Sequence, residues 1–248
     1  MSRLPDQVSK GQWLLSNVMR PLSSKYEPYV SDERLRGMNI TMSDLDFVSG
    51  KPGNGGEQFI EPIPAVTVNQ WLNETKPWTI RRDFHVQPEF ADNPQNSYRA
   101  LNSLSRGEAD WQVKCILRHN ATPHEPHVLT VLDPDLDKPH TICFLADNAL
   151  LRDDRLSSSE VITVVLLSVL LRAEPKHNPR NHRISPVTIV SASNRSVRIV
   201  QGFADIETRA VEIRKSPIVH FDQGVWANWD QWVIVLGWLM GNPIGNTF

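Results

Sequence analysis

An α+β fold is the class this sequence predicts: a small antiparallel sheet flanked by a buried central helix and a tryptophan-rich C-terminal helix. Three observations predict it. Ser157-Ser158-Ser159-Glu160 opens a run of apolar residues from Val161 to Leu171, broken only by Thr163 and Ser168. Three strand-like runs follow it, Val187–Ala192, Val197–Phe203 and Ala210–Lys215. Trp226, Trp229, Trp232, Val233, Leu236 and Met240 then recur at three and four residues, the spacing of an amphipathic helix. The order helix, strands, helix suggests a sheet with helices on one face.

Each element has a local reason. A serine followed three residues later by glutamate is the capping-box pattern, in which each side chain satisfies a backbone N–H at a helix start. Pro175 closes that helix, because proline cannot continue it. Asn194-Arg195 makes a tight connection between two strands, and Gly241-Asn242-Pro243 stops the last helix. Earlier in the chain, residues 8–22 carry apolar residues at roughly helical spacing. Val66–Leu72 begins a short helix, and Tyr98–Leu104 reads as another. Trp78–His85, Trp111–Arg118, Val128–Leu132 and Thr141–Leu145 have the length and composition of strands. The expectation is one domain over residues 1–248 with a loop-rich N-terminal half, a sub-boundary near residue 150 being the alternative.

Bulk composition excludes more than it selects. The 248 residues are 40% hydrophobic and 22% charged, ordinary globular values, and the net charge of −2 announces no global affinity for nucleic acid. No apolar run reaches the roughly 18 residues that a membrane span needs, so no membrane partner is expected. Two cysteines, Cys115 and Cys143, and an N-terminus without an apolar signal region point to a cytoplasmic chain with free thiols. Lys51-Pro52-Gly53-Asn54-Gly55-Gly56 lacks the pattern of a phosphate loop and reads as a surface loop.

Four groups of residues could carry chemistry. The first is a local excess of charge. Between Arg172 and Lys215 nine basic residues oppose four acidic ones, a net +5 in a chain of −2. Arg172, Lys176, Arg180, Arg183, Arg195 and Arg198 are the candidate nucleic-acid contacts, because such asymmetry is how a phosphate-binding face shows itself. A solvated loop and sheet face explain the same charges. The second group is Ser191 and Ser193 at a strand end, with His177 and His182 as proton carriers for a hydroxyl nucleophile. There is no Gly-x-Ser-x-Gly elbow, and turn-forming residues explain the stretch equally well. The third is His119, His124, His127 and His140 with Asp133, Asp135 and Asp137. Their spacing fits neither a helical zinc site nor a calcium loop. No metal and no cofactor is expected. The fourth is Glu160, Asp205 and Glu212 with Arg214 and Lys215, the helix-strand-strand order of a Mg²⁺ nuclease, although arginine stands where the lysine belongs.

The run His182–Gly202 and the ending Trp238–Gly245 resemble small fungal proteins of secondary metabolism such as the arginine-containing cyclodipeptide synthases. The resemblance implies aminoacyl-tRNA as substrate, tRNA as partner and peptide-bond formation as chemistry. It assigns no individual residue a role. An arginyl substrate needs an acidic pocket, for which Asp205 and Glu207 are the candidates, with a polar turn as the competing explanation. The leading expectation is thus a cytosolic enzyme acting on an RNA-linked or phosphate-rich substrate. A non-catalytic interaction module with a basic face and a Mg²⁺ nuclease are the alternatives.

Overall fold

The computed structural model describes residues 13–24, 27–75, 115–118, 127–132, 137–173 and 182–248. Its centre is an eight-stranded sheet built from Ile40–Asp44 (β1), Cys115–Arg118 (β2), His127–Leu132 (β3), Thr141–Ala146 (β4), Val187–Ser193 (β5), Ser196–Asp205 (β6), Ala210–Lys215 (β7) and Val219–His220 (β8). The spatial order is β1-β7-β6-β5-β4-β3-β2, and β8 pairs with the start of β6 beside β7. Strands from both sides of residue 150 interleave in this one sheet. The expected strands at Trp78–His85 and residues 111–114, and the helix at Tyr98–Leu104, lie outside the described residues.

The fold is α+β, as the sequence suggests, and the three runs after residue 186 are strands in the expected places. The sheet is larger than those three runs and is mixed. Its β5-β6-β7 meander is antiparallel, but β4 runs parallel to β5 and β1 parallel to β7. The parallel β4–β5 pair is joined through helix α4 (Ser158–Ala173), a strand-helix-strand crossover. Parallel neighbours require such a crossover.

Helices cover both faces, not one. In chain order the other α-helices among the described residues are α1 (Arg20–Ser24), which continues a π-helical turn Leu15–Met19, α2 (Asp32–Gly37), α3 (Ala65–Thr75) and α5 (Trp229–Leu239). Alternate residues of a strand point to opposite faces. Cys143 and Leu145 of β4, Val187 and Ile189 of β5 and Val200 of β6 pack with Val161, Val164, Val165 and Leu167 of α4. Ile142 and Phe144, Val190 and Ile199 face the other way, against Val68 and Leu72 of α3 and Val233, Leu236 and Trp238 of α5. Gly202 of β6 lies under α4, where an added Cβ would meet the Glu212 carbonyl at 2.6 Å and a Val164 methyl at 2.8 Å. Only glycine lets the helix approach this closely.

The α5 face is rotated from the one its sequence suggests. Val233 and Val235–Leu239 are buried, whereas Trp226 is 57% exposed in a 3₁₀ turn, Val225–Asn228, that precedes the helix. No described helix is long and apolar enough to cross a membrane.

Candidate functional site

The crossover brings three chain segments to one end of the sheet. Asp147 follows β4, Ser157–Glu160 begin α4, and Ser191 and Ser193 close β5. In open sheets with parallel strands, ligands bind outside the carboxyl ends of those strands.

The start of α4 is a complete capping box. The Glu160 N–H donates to Ser157 Oγ at 3.2 Å, and the Ser157 N–H donates to Glu160 Oε2 at 2.8 Å. Glu160 is wholly buried, so its charge needs a partner. Arg198 supplies it from the facing strand β6: Nε donates to Oε1 at 2.8 Å, and a second guanidinium nitrogen contacts Oε2. The remaining donors of Arg198 hold the strap between β4 and α4, through the carbonyls of Arg152 (2.7 Å) and Arg155 (3.1 and 3.2 Å). All of the guanidinium's directional capacity is engaged.

Beside this pair runs a chain of oxygens. Asp147 Oδ2 accepts from the Ser159 hydroxyl, and Ser159 Oγ lies 2.8 Å from Ser157 Oγ. Asp147 Oδ1 accepts the Ala149 N–H at 3.2 Å. Asp147, Ser157 and Ser159 are each under 10% exposed. Ala146 pairs with Ala192, and the Asp147 N–H donates to the Ala192 carbonyl at 3.1 Å. Asp147 and Ser193 therefore occupy neighbouring positions on the α4 face. Ser193 is 3% exposed, and its hydroxyl has no hydrogen-bond partner among the described residues. The arrangement can activate a hydroxyl: a buried carboxylate takes its proton, and the positive end of the α4 dipole favours developing negative charge.

The residues proposed from sequence are scattered by the fold. Ser191 and Ser193 do reach this site, but Ser191 is buried and sits across from Arg198 in the β5–β6 register. His182 is at the opposite end of β5, about 20 Å away at the usual strand rise. There its Nδ1 lies 2.8 Å from Thr247 Oγ1, and its ring packs on Phe248. The serine–histidine pairing is thereby corrected for His182. His177, Lys176 and Arg180 lie outside the described residues, as does the side chain of Arg172.

The basic segment does not form one face. Arg198 and Arg214 are buried and salt-bridged, to Glu160 and Glu212. Arg198 is thus removed from the candidate phosphate contacts, since it has no accessible donor. Arg183 and Arg195 are exposed but flank opposite ends of the ten-residue β6.

Asp205 does hold a guanidinium, that of the chain's own Arg183, with Nε at 3.1 Å from Oδ2. Its other oxygen accepts the N–H groups of Glu207 (2.9 Å) and Thr208 (3.4 Å), so Asp205–Thr208 is a closed polar turn with Glu207 exposed. Burial alone would raise the Asp205 pKa. The Arg183, Thr208 and Glu207 hydrogen bonds outweigh it and hold the carboxyl below its ordinary range. The carboxylates of the nuclease arrangement do not converge: Glu160 pairs with Arg198 on the α4 face, and Glu212 with Arg214 on the other. Among the described residues, no three His, Cys, Asp or Glu side chains group as metal ligands. His119, His124, Asp133 and Asp135 lie outside that set, and His140 is buried beside Phe59.

Asp147, Ser157 and Ser159 were not legible as a site. The signal for them was the sequence of strand run, capped helix and strand run, which taken as a crossover puts Asp147 and the helix start at one edge. In comparisons with known proteins the chain matches no family, no curated protein and no solved structure.

Proposed function

We propose that the protein is an enzyme that transfers an acyl group from an activated ester, with Ser159 as nucleophile. The observation that carries this reading is the Asp147–Ser159–Ser157 oxygen chain at the start of α4. Ser159 Oγ attacks the acyl carbonyl while its proton passes to Asp147. The ester C–O bond breaks, and the leaving oxygen takes that proton. An amine then gives up a proton to Asp147 and attacks the acyl-serine; the acyl C–Oγ bond breaks, the amide forms, and Asp147 returns the proton to Ser159 Oγ. The positive end of α4 stabilises the oxyanion in both halves. Arg198 offsets the charge of Glu160 that would otherwise oppose it.

An aminoacyl-tRNA is the ester that the resemblance to cyclodipeptide synthases implies; the amine of a second aminoacyl-tRNA would then give a dipeptidyl-tRNA, whose free amine attacks its own ester carbonyl and releases tRNA and a cyclic dipeptide. Exposed Arg195, in the turn beside Ser193, and exposed Arg152 of the strap, laid over the Tyr29 ring, support contact with a phosphate-bearing carrier at this end. The interaction module and the nuclease lose their main support, the first because the arginines are dispersed and the second because its carboxylates lie on opposite faces.

The test is intact mass spectrometry after incubation with aminoacyl-tRNA. Wild type is expected to gain one aminoacyl group, Ser159→Ala none, and Asp147→Asn far less in the same time. An adduct that persists in a folded Ser159→Ala variant overturns the assignment.

A further inference from the structure

We propose that Asp147 and Ser193 form a subsite for a protonated primary amine. The argument is an account of donors and acceptors. A carboxylate offers about four acceptor positions, and Asp147 uses one on the Ala149 N–H and one on the Ser159 hydroxyl. Ser193, on the adjacent strand and the same face, is 3% exposed with its hydroxyl unpartnered. Buried hydroxyls in folded proteins are nearly always bonded, and of those left open among the described residues (Ser43, Thr141, Ser168 and Ser193) it is the Ser193 hydroxyl that lies next to Asp147. The buried cation on this face, Arg198, is fully engaged with Glu160 and the strap carbonyls.

The corner therefore has acceptors in excess, one uncompensated negative charge and too few donors. An anion would be repelled by Asp147. A divalent metal would find a single carboxylate and hydroxyls, too few charged ligands. An ammonium group brings three N–H donors, a positive charge and no acceptor, which is the complement of what is present. This rests on the acyl-transfer reading for its purpose, because an amine held here lies beside the proposed acyl-serine and becomes a nucleophile once it passes one proton to Asp147. Its existence as a binding site does not depend on that reading.

The experiment titrates methylammonium, ammonium, tetramethylammonium and an amino-acid methyl ester into the wild-type protein at constant ionic strength, with calorimetry and melting temperature as readouts. Methylammonium is expected to bind and raise the melting temperature, and tetramethylammonium, which has no N–H, to do neither. Ser193→Ala should weaken methylammonium by about tenfold or more, the loss of one hydrogen bond to a charged group, without lowering its own melting temperature appreciably. Ser159→Ala should still bind it. Binding of ammonium and methylammonium without the methyl ester restricts the site to small cations and overturns its role as a substrate-amine site. Equal binding of tetramethylammonium, or unchanged affinity in Ser193→Ala, overturns the subsite. An aminoacyl adduct on Ser159 with no amine binding defeats this inference alone, and amine binding with no adduct defeats the acyl-transfer reading alone.

Discussion

Replacing Arg198 by methionine tests how the α4 end of the sheet is held. The substitution keeps most of the side-chain volume and removes the guanidinium. Glu160 is wholly buried, and without Arg198 its carboxylate keeps only the Ser157 N–H. Breaking a buried ion pair from one side costs about 3–5 kcal/mol, because a charge is left uncompensated. The Arg152 and Arg155 carbonyls lose their donors as well, adding about 1 kcal/mol for each that water fails to reach. For a chain of this length each kcal/mol shifts the melting temperature by about 2–4 °C, so a fall of roughly 10 °C or more is expected. Urea denaturation followed by tryptophan fluorescence measures the loss. A second variant separates charge from packing. In Arg198→Met, adding Glu160→Gln removes the stranded charge while its amide oxygen still accepts the Ser157 N–H, so part of the stability should return. Stability of Arg198→Met within about 1 kcal/mol of wild type would refute the reasoning, since surface substitutions rarely exceed half that.

Three further outcomes are expected. Val165→Asp puts an unpaired charge where α4 is fully buried, and should cost about 4 kcal/mol or more or abolish soluble expression; an unchanged melting temperature would contradict the packing. Asp205 has a lowered pKa in the folded state, so its stabilisation is complete above the unfolded carboxyl value of about 3.9 and is lost as pH falls through the lower folded one. The stability gap between wild type and Asp205→Asn should therefore be constant near neutrality and close only in strong acid, as denaturation curves across pH would show. Cys143 is buried and its thiol is pushed up by desolvation, so peptide mapping should find it unlabelled by thiol reagents in the native protein and labelled in urea.

The sequence carried local structure well, because each of those elements rests on short-range chemistry. The capping box at Ser157–Glu160, the three late strands and the turn at Asn194, whose φ is 53°, all stand where nearest-neighbour reasoning puts them. Asparagine tolerates that left-handed backbone better than most residues. What sequence did not carry was the pairing of distant elements. Thr141–Ala146 and Val187–Ser193 read as separate strands, and nothing in either run says that they lie parallel and adjacent. That pairing alone brings Asp147 beside Ser193. The arginines failed for a related reason. Arg198 looks like surface charge in a strand of alternating character, yet the partner that buries it, Glu160, is 38 residues away. Exposure of a charged residue depends on which counter-charge the fold delivers, and composition is silent on that.

The parallel pairing of β1 with β7 also sets an order of events. The Thr41 hydroxyl and the Val211 carbonyl it contacts are 170 residues apart, whereas β5, β6 and β7 follow one another through short turns. Closing so long a loop is slow, and contacts of that separation form after local ones. On the ribosome, β1 emerges about 170 residues before β7 and stays unpaired until β7 has been made. The β5-β6-β7 meander then assembles first, and its outer edge stays open until β1 docks on it. That interval is when strand addition between chains competes with correct closure. Aggregation during expression should therefore respond to changes in β1 far more steeply than equilibrium stability does.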